Sequence, residues 1–480
     1  MYINILKQNI EDFVLLVKKD LISLNEAVDS YLKCEDFPQK SFVLYEIIKK
    51  ILETKKTSSI ELLIKLLNDD LTVLNLYRNG YNEVRFPIVN DSGNGKIARA
   101  IVFKNEKTYV NLEGFTDKIK NIENIVQKNL GVIFDSHFTG NSFMLAITMG
   151  GLTSKIPKNV AFTGEVDSDG SILKNIRNLH FKESVCEREN LKLISALDVN
   201  NVFELKDFFE AKEYHVPVLF VFQKRDEEFV DNSYEKLKEK VGEKFPLNFV
   251  DIFEKLYDFK KTYVSDEIKN NEWKKVLKDA RKVLNSIISN NGIPHISIVG
   301  PVAMAMALGV TLGTHNKLVF YHHQNGEYHR VLDLTDNVRK VKSITEDYRF
   351  VKYTVEGEGE DCSYVIYLAS HNPIQDVRKF LLNNNISSKI IFIEYKNGKG
   401  NIKPGDWTKI VSEIMSITQN VRSCTGCENV HFFISAPLPI AFGLGMAYGD
   451  FSKGGIYQLD KETGSYIKAF EIENIRRDWI

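Results

Sequence analysis

The chain has 480 residues, a net charge of -1 and a hydrophobic fraction of 43% with 30 Phe and 20 Tyr. That length exceeds one ordinary core, the composition excludes a largely disordered chain, and the charge balance excludes the bulk electrostatics of a duplex-binding protein. The five cysteines do not form the even-numbered framework of a small secreted domain.

In chain order, residues 1–82 read as a helical docking segment, because apolar residues recur at helical spacing in NILKQNIEDFVLLVKKDLISL, SFVLYEIIKKILET and SSIELLIKLLNDDL. Ser58 and Ser59 stand where an N-cap is expected. The amino-terminal stretch mixes charges into an amphipathic pattern, and no apolar run reaches membrane-helix length, so a cytoplasmic protein is expected. From residue 83 to 225 the pattern changes to short β-rich runs, VRFPIV, ARAIVFK, TYVNLEG and LGVIFD, followed by an apolar helix after Gly140. A strand VAFTGEV, a turn at Asp167 to Gly170, the helix KESVCERENLKL and a buried strand at 217–223 complete this region. Residues 226–290 are densely charged and predicted as a helical connector whose charges are solvated helix faces.

The remaining residues, 291–480, contain an internal repeat. HISIVGPVAMAMALG at 295–309 aligns without a gap with HFFISAPLPIAFGLG at 431–445, and Tyr321 and Tyr457 keep the same offset downstream. Each copy reads as strand, Pro-containing turn, small-residue helix, strand, strand, which predicts an α/β domain of two Rossmann-like halves. The glycines of GLGMAYG lie inside a helix and not in a first strand-to-helix turn, so close helix packing is expected and not a dinucleotide fingerprint. No Walker-type loop is present. Cys424 and Cys427 have knuckle spacing without a second pair, so no metal site is expected and they read as loop cysteines.

Ser142, in TGNSFMLAIT, is by itself either a helix cap or a nucleophile. His137 and His180 lie close in sequence, but neither has a triad context and GxSxG is absent. Lys182 remains as a base, which requires a neutral amine. In the other domain, the strand-end turns carry Gly300 and Pro301, then Ser370, His371 and Asn372, then Ala436 and Pro437. Free N–H groups at such ends favour phosphate, which makes these turns candidate ligand-binding residues, with Arg378 nearby. Prolines shaping turns, capping by Ser370 and Asn372, and a solvated Arg378 are the plain alternatives.

The order GNS plus apolar helix, PKNVAFTGEV, DGSI and FKESVCEREN resembles the proteolytic domain of Lon proteases, an α+β fold. The resemblance implies Ser142 as nucleophile, Lys182 as its base and Thr163 as a hydroxyl that helps hold the amine, with oxyanion stabilisation by backbone N–H groups near the start of the 142 helix. Phe143 and Met144 replace the usual small residues, and Ile176-Arg177-Asn178 replaces the usual glycine-pair turn. The repeat resembles the SAVED domain, a fusion of two CARF-like units that senses cyclic oligonucleotides. Together the two parts resemble the Lon-SAVED proteases of type III CRISPR systems.

That resemblance implies an ATP-independent serine endopeptidase of CRISPR antiviral defence. Cyclic oligoadenylate would activate it, with cyclic tetra-adenylate as the expected ring, and no further cofactor is expected. It would be a monomer at rest and a homo-oligomer with ligand, cutting a partner protein in trans, an anti-sigma-type regulator by family. No membrane or duplex nucleic-acid partner is expected. A catalytically inert, ligand-gated binding or assembly protein is the alternative, and a ring nuclease that degrades its own messenger is a third reading.

Overall fold

The computed structural model describes the chain except residues 1, 35, 36, 38, 55–57, 267, 269–271, 399–401, 428, 450–452, 461 and 478–480. It divides into two compact units, Met1–Ala211 and Lys212–Ile480. Both are mixed α/β.

In the first unit the amphipathic N-terminal sequence forms, among the described residues, six helices, from Tyr2–Gln8 to Asp70–Asn79. A capping box starts the third, with Ser23 Oγ accepting from Glu26 N at 3.3 Å and Glu26 Oε2 accepting from Ser23 N at 3.2 Å. Ser59 is buried inside the helix Ser58–Leu67 and shares a hydrogen bond with Thr54 at 3.2 Å, while the side chain of Ser58 lies outside the described residues. The apolar faces of these helices meet in one core, with Phe13, Val43, Ile47 and Leu63 continuous with Ile101, Phe103 and Ile133 of the adjoining sheet. The helical segment is thus built into the unit, because its buried stripe has no other cover.

That sheet contains β1 (Asn82–Val89), β2 (Gly95–Lys104), β3 (Tyr109–Val110) and β4 (Leu130–Phe134) in the order β1-β2-β4-β3. A parallel pair, β5 (Val160–Thr163) and β6 (Lys192–Ser195), stands beside it. Helix Met144–Leu152 is apolar all round, and the residues Met144 to Gly151 are buried. A Cβ on its Gly150 would lie 2.9 Å from Val84 and Val102, so glycine lets the helix rest directly on β1 and β2.

The second unit begins with β7 (Tyr214–Val221), β8 (Thr262–Val264), β9 (Gly292–Val299), β10 (Val319–Gln324) and β11 (Glu327–Asp333), ordered β11-β10-β9-β7-β8. Its second sheet contains β12 (Val351–Glu356), β13 (Asp361–Tyr367), β14 (Ser388–Tyr395), β15 (Val430–Ser435), β16 (Gly455–Asp460) and β17 (Ser465–Glu471), ordered β12-β14-β13-β15-β16-β17. Without β12 the two orders are the same. Both sheets even shift register at equivalent places, between Phe320 and Tyr321 and between Ile456 and Tyr457.

This symmetry corrects two expectations. The strand at 217–223, assigned by sequence to the region ending at 225, pairs with β9 and β8 as the counterpart of β13, which moves the boundary to Ala211/Lys212. Residues 226–290 are not a connector: Leu237 and Val241 pack into one cluster with Leu219 and Val221, and the helix Trp273–Ser289 buries Leu277, Leu284 and Ile287. Each half crosses the other through its small-residue helix, Val302–Leu312 or Leu438–Tyr448. A Cβ on Gly309 would lie 2.0 Å from Phe442 O, and one on Gly445 would lie 2.0 Å from Met306 O. Within GLGMAYG, Gly445 therefore serves close helix packing, whereas Gly449 lies just past the helix end with φ 76°.

Candidate functional site

Ser142 is half-buried at the end of a loop leaving β4. The N-cap position of the helix that follows belongs to Phe143, and no side chain caps it, so capping does not account for Ser142. Backbone bonds tie the serine to the strand bearing Thr163: Gly164 N donates to Ser142 O at 2.8 Å and Leu145 N to Gly164 O at 3.0 Å. Asn141 Nδ2 donates to Glu165 Oε1 at 2.8 Å one position further out.

Lys182 lies in the first turn of helix Leu179–Arg188, three residues later in the helix than the sequence reading places it. Asn178, before that helix, takes the left-handed conformation with φ 57°, a position asparagine tolerates better than most residues, which explains how the turn dispenses with a glycine pair. Only 6% of Lys182 is exposed, and its Nζ donates to Thr163 Oγ1 at 3.0 Å. Burial holds the amine below the usual lysine range, and the positive end of the helix dipole acts in the same direction. Ser142 and Lys182 open onto one cleft of about 880 Å³, whose walls include Ile88, Phe138, Glu165 and Leu173. His137 shares a hydrogen bond with Ser41 at 3.4 Å, and His180 is exposed against Phe181. Neither has a carboxylate partner among the described residues.

The loop between β4 and Ser142 is anchored at several points. Asp135 is buried and accepts from Arg99 Nε at 2.9 Å and Arg99 N at 3.0 Å, and Arg99 reaches Glu46 on the N-terminal helices at 2.6 Å. Phe138 and Phe143 join Phe86, Phe115 and Phe134 in a cluster with ring centres 4.9–6.2 Å apart. Phe143 thus has a packing role where the Lon-like pattern carries a small residue. Sequence periodicity singles out none of these anchors.

In the second unit, parallel strands end side by side in both halves: Phe222 N donates to Val299 O at 2.8 Å, and Leu368 N to Ser435 O at 2.7 Å. Gly300 permits the first contact, since a Cβ there would lie 2.7 Å from Phe222 Cβ. Pro301 and Pro437 are the N-cap residues of the two central helices. Ser435 Oγ donates to His371 O at 2.6 Å, which draws the Ser370–Asn372 turn against Ala436. His371 Nε2 lies 3.0 Å from Asp376 Oδ2, and Asn372 Oδ1 accepts from Ile374 N at 3.1 Å, the capping role set against a ligand role above. Bonds between the halves include Ala303 N to Gln458 Oε1 at 3.3 Å and Trp407 N to Val331 O at 2.9 Å.

Arg378 does not join these turns. Its guanidinium makes a forked pair with Glu356 at 2.7 and 2.8 Å, and Glu356 is in register with Ile390 near the start of β14, away from the carboxyl ends. Conversely, the halves place Lys224 and Arg225 where the second half has Ser370 and His371. Both are exposed, and Arg225 lies 4.9 Å from the Phe229 ring centre. The signal was the match of β7 to β13, which is hidden when β7 is read with the preceding domain. Cys424 and Cys427 are not plain loop cysteines: Cys424 is exposed near the end of the helix Thr408–Thr425, and Cys427 is joined to Cys362 in a disulfide with Cα atoms 5.7 Å apart. Among the described residues no group of three or more metal-ligating side chains gathers, and no helix is long and apolar enough to cross a membrane.

Residues 276–472 match the family described as "SMODS-associated and fused to various effectors sensor domain", so this region is a SAVED sensor domain. Its first half extends further, to β7. No curated protein matches the chain. Similar solved structures include the Acinetobacter baumannii Cap4 SAVED/CARF-domain containing receptor with the cyclic trinucleotide 2'3'3'-cAAA, at 17% identity and TM-score 0.35, covering 54% of this chain and 52% of that one. The same receptor with 3'3'3'-cAAA matches at 18% identity and TM-score 0.35, covering 56% and 53%. The Moraxella osloensis Cap4 receptor matches at 12% identity and TM-score 0.33, covering 81% and 94%. This chain spans about half the length of the first two.

Proposed function

We propose that the protein is a serine endopeptidase of CRISPR antiviral defence, gated by a cyclic oligoadenylate bound at its SAVED domain. The observation that carries the reading is the buried Lys182 amine, 3.0 Å from Thr163 Oγ1, at the cleft that also exposes Ser142. In the reaction, Ser142 Oγ attacks a peptide carbonyl carbon while its proton passes to the neutral Lys182 Nζ. The carbonyl oxygen becomes an oxyanion facing backbone N–H groups at the start of the 142 helix. As the C–N bond breaks, the leaving amine takes the proton from Lys182, and water then hydrolyses the acyl ester with Lys182 again as base.

Ligand would act by binding an active, assembled state more tightly than a resting monomer. Cytoplasmic placement, cleavage of a partner in trans and an anti-sigma-type regulator as that partner belong to the same proposal. A second reading, an inert assembly protein, is favoured by the bulky Phe143 and Met144 beside the serine.

Full-length protein treated with an alkyl fluorophosphonate, with and without cyclic tetra-adenylate, separates the two. Labelling at Ser142 that requires ligand and disappears in Ser142→Ala is expected. An unlabelled Ser142 in ligand-saturated protein would remove the protease reading.

A further inference from the structure

Lys118, on helix Thr116–Val126, stands outside every sequence pattern discussed above. Its Nζ donates to Gly140 O at 3.1 Å and lies 5.4 Å from the Phe115 ring centre and 5.9 Å from that of Phe143. The two faces hold the cation in place. Gly140 has φ 92°, a conformation that favours glycine, so the chain turns sharply at the carbonyl that Lys118 grips.

A trans peptide points its C=O and N–H in opposite directions. Fixing the Gly140 carbonyl therefore fixes the Asn141 N–H on the side facing away from Lys118. The next two carbonyls are also engaged, Asn141 O by Met144 N at 2.9 Å and Ser142 O by Gly164 N at 2.8 Å. Among the described residues, no acceptor meets the N–H of Asn141, Ser142 or Phe143. Thr139 to Ser142 line the cleft, so these donors belong to the loop that presents the nucleophile.

We infer that Lys118 is a positioning residue: through the Gly140 carbonyl it sets the peptide orientation that turns the loop N–H groups toward the oxyanion of acyl transfer at Ser142. This rests on the Ser142–Lys182 reading and assigns a further residue to it. A lysine that only stacks on phenylalanine at the surface would leave the rate of serine acylation unchanged. An oxyanion donor that is already aligned costs no reorganisation as charge develops, so misaligning it lowers rate more than binding.

The test uses full-length protein saturated with cyclic tetra-adenylate and the alkyl fluorophosphonate, whose phosphoryl oxygen develops charge in the same place. Lys118→Met is expected to lower the maximal inactivation rate by about tenfold or more, below the ~100-fold of losing a direct donor, with the half-saturating concentration within about twofold. Lys118→Arg, which keeps a charged donor, should restore most of the rate, and Lys118→Gln should fall between. Should Lys118→Met not fold, the Arg and Gln variants carry the comparison. Folded variants that all react at the wild-type rate overturn the role of Lys118 while leaving the dyad standing; a wild-type protein that is never labelled removes the dyad and this inference together.

Discussion

The two halves of the second unit share strand order, a glycine crossing and a buried His–Tyr contact, His295 Nδ1 to Tyr321 at 3.2 Å and His431 Nδ1 to Tyr457 at 3.0 Å. They differ in what meets the other ring nitrogen. His295 Nε2 faces His215 Nδ1 at 2.9 Å, whereas His431 Nε2 faces Asp361 at 3.0 Å. Register makes the two partners equivalent, since Pro217 pairs with His295 as Ser363 pairs with His431. The backbone frame is common to both halves, while one half-buried partner is an imidazole in the first and a carboxylate in the second. Burial, reinforced by His215, pushes His295 down to about 3, so the first half holds a neutral imidazole where the second holds an acid-paired one. Geometry and chemistry are separable in this fold.

The shared part of the comparison is most exposed at the crossing. Gly309→Ala and Gly445→Ala should each cost about 3 kcal/mol in denaturant unfolding, because the new Cβ meets backbone and not a movable side chain. A large loss at one glycine and none at the other would show that the crossing is not symmetric.

The difference between halves should appear next, as a pH effect. The unfolded imidazole binds a proton near pH 6.5 and folded His295 only near 3, so its stability is complete above 6.5 and falls as pH drops through that window. His295 should contribute a decrease of about 2 kcal/mol between pH 6.5 and 5, beside the contributions of the same sign from His215 and His322, and His295→Phe should make that part of the curve shallower by that amount. A wild-type profile that stays flat there would contradict a neutral His295.

Smallest is the contrast between partners. Asp361→Ala strands a buried imidazole nitrogen from a carboxylate and should cost about 2 kcal/mol, whereas His215→Ala breaks a neutral pair and should cost about 1. Equal losses would mean that the carboxylate has no special weight in its half.

Much of this architecture was legible in the sequence because its signals are local or periodic. The offset shared by His295/His431, Gly309/Gly445 and Tyr321/Tyr457 announced two α/β halves, and the order of Ser142, Thr163 and Lys182 marked the candidate dyad. Strand pairing is not local. A buried strand such as Tyr214–Val221 reads the same beside β9 as it would at the end of the preceding domain, and only its hydrogen bonds to β9 and β8 assign it.

What the sequence alone determined was residue types in order: a serine before an apolar helix, a lysine downstream, a repeat with prolines at strand ends. Tertiary structure decided which of them acquire unusual environments. It buried Lys182 against Thr163, drew Lys118 to the Gly140 carbonyl, tied Arg378 to Glu356 and joined Cys362 to Cys427. Desolvation and pairing depend on atoms brought together from distant parts of the chain, and no spacing within a short segment encodes them.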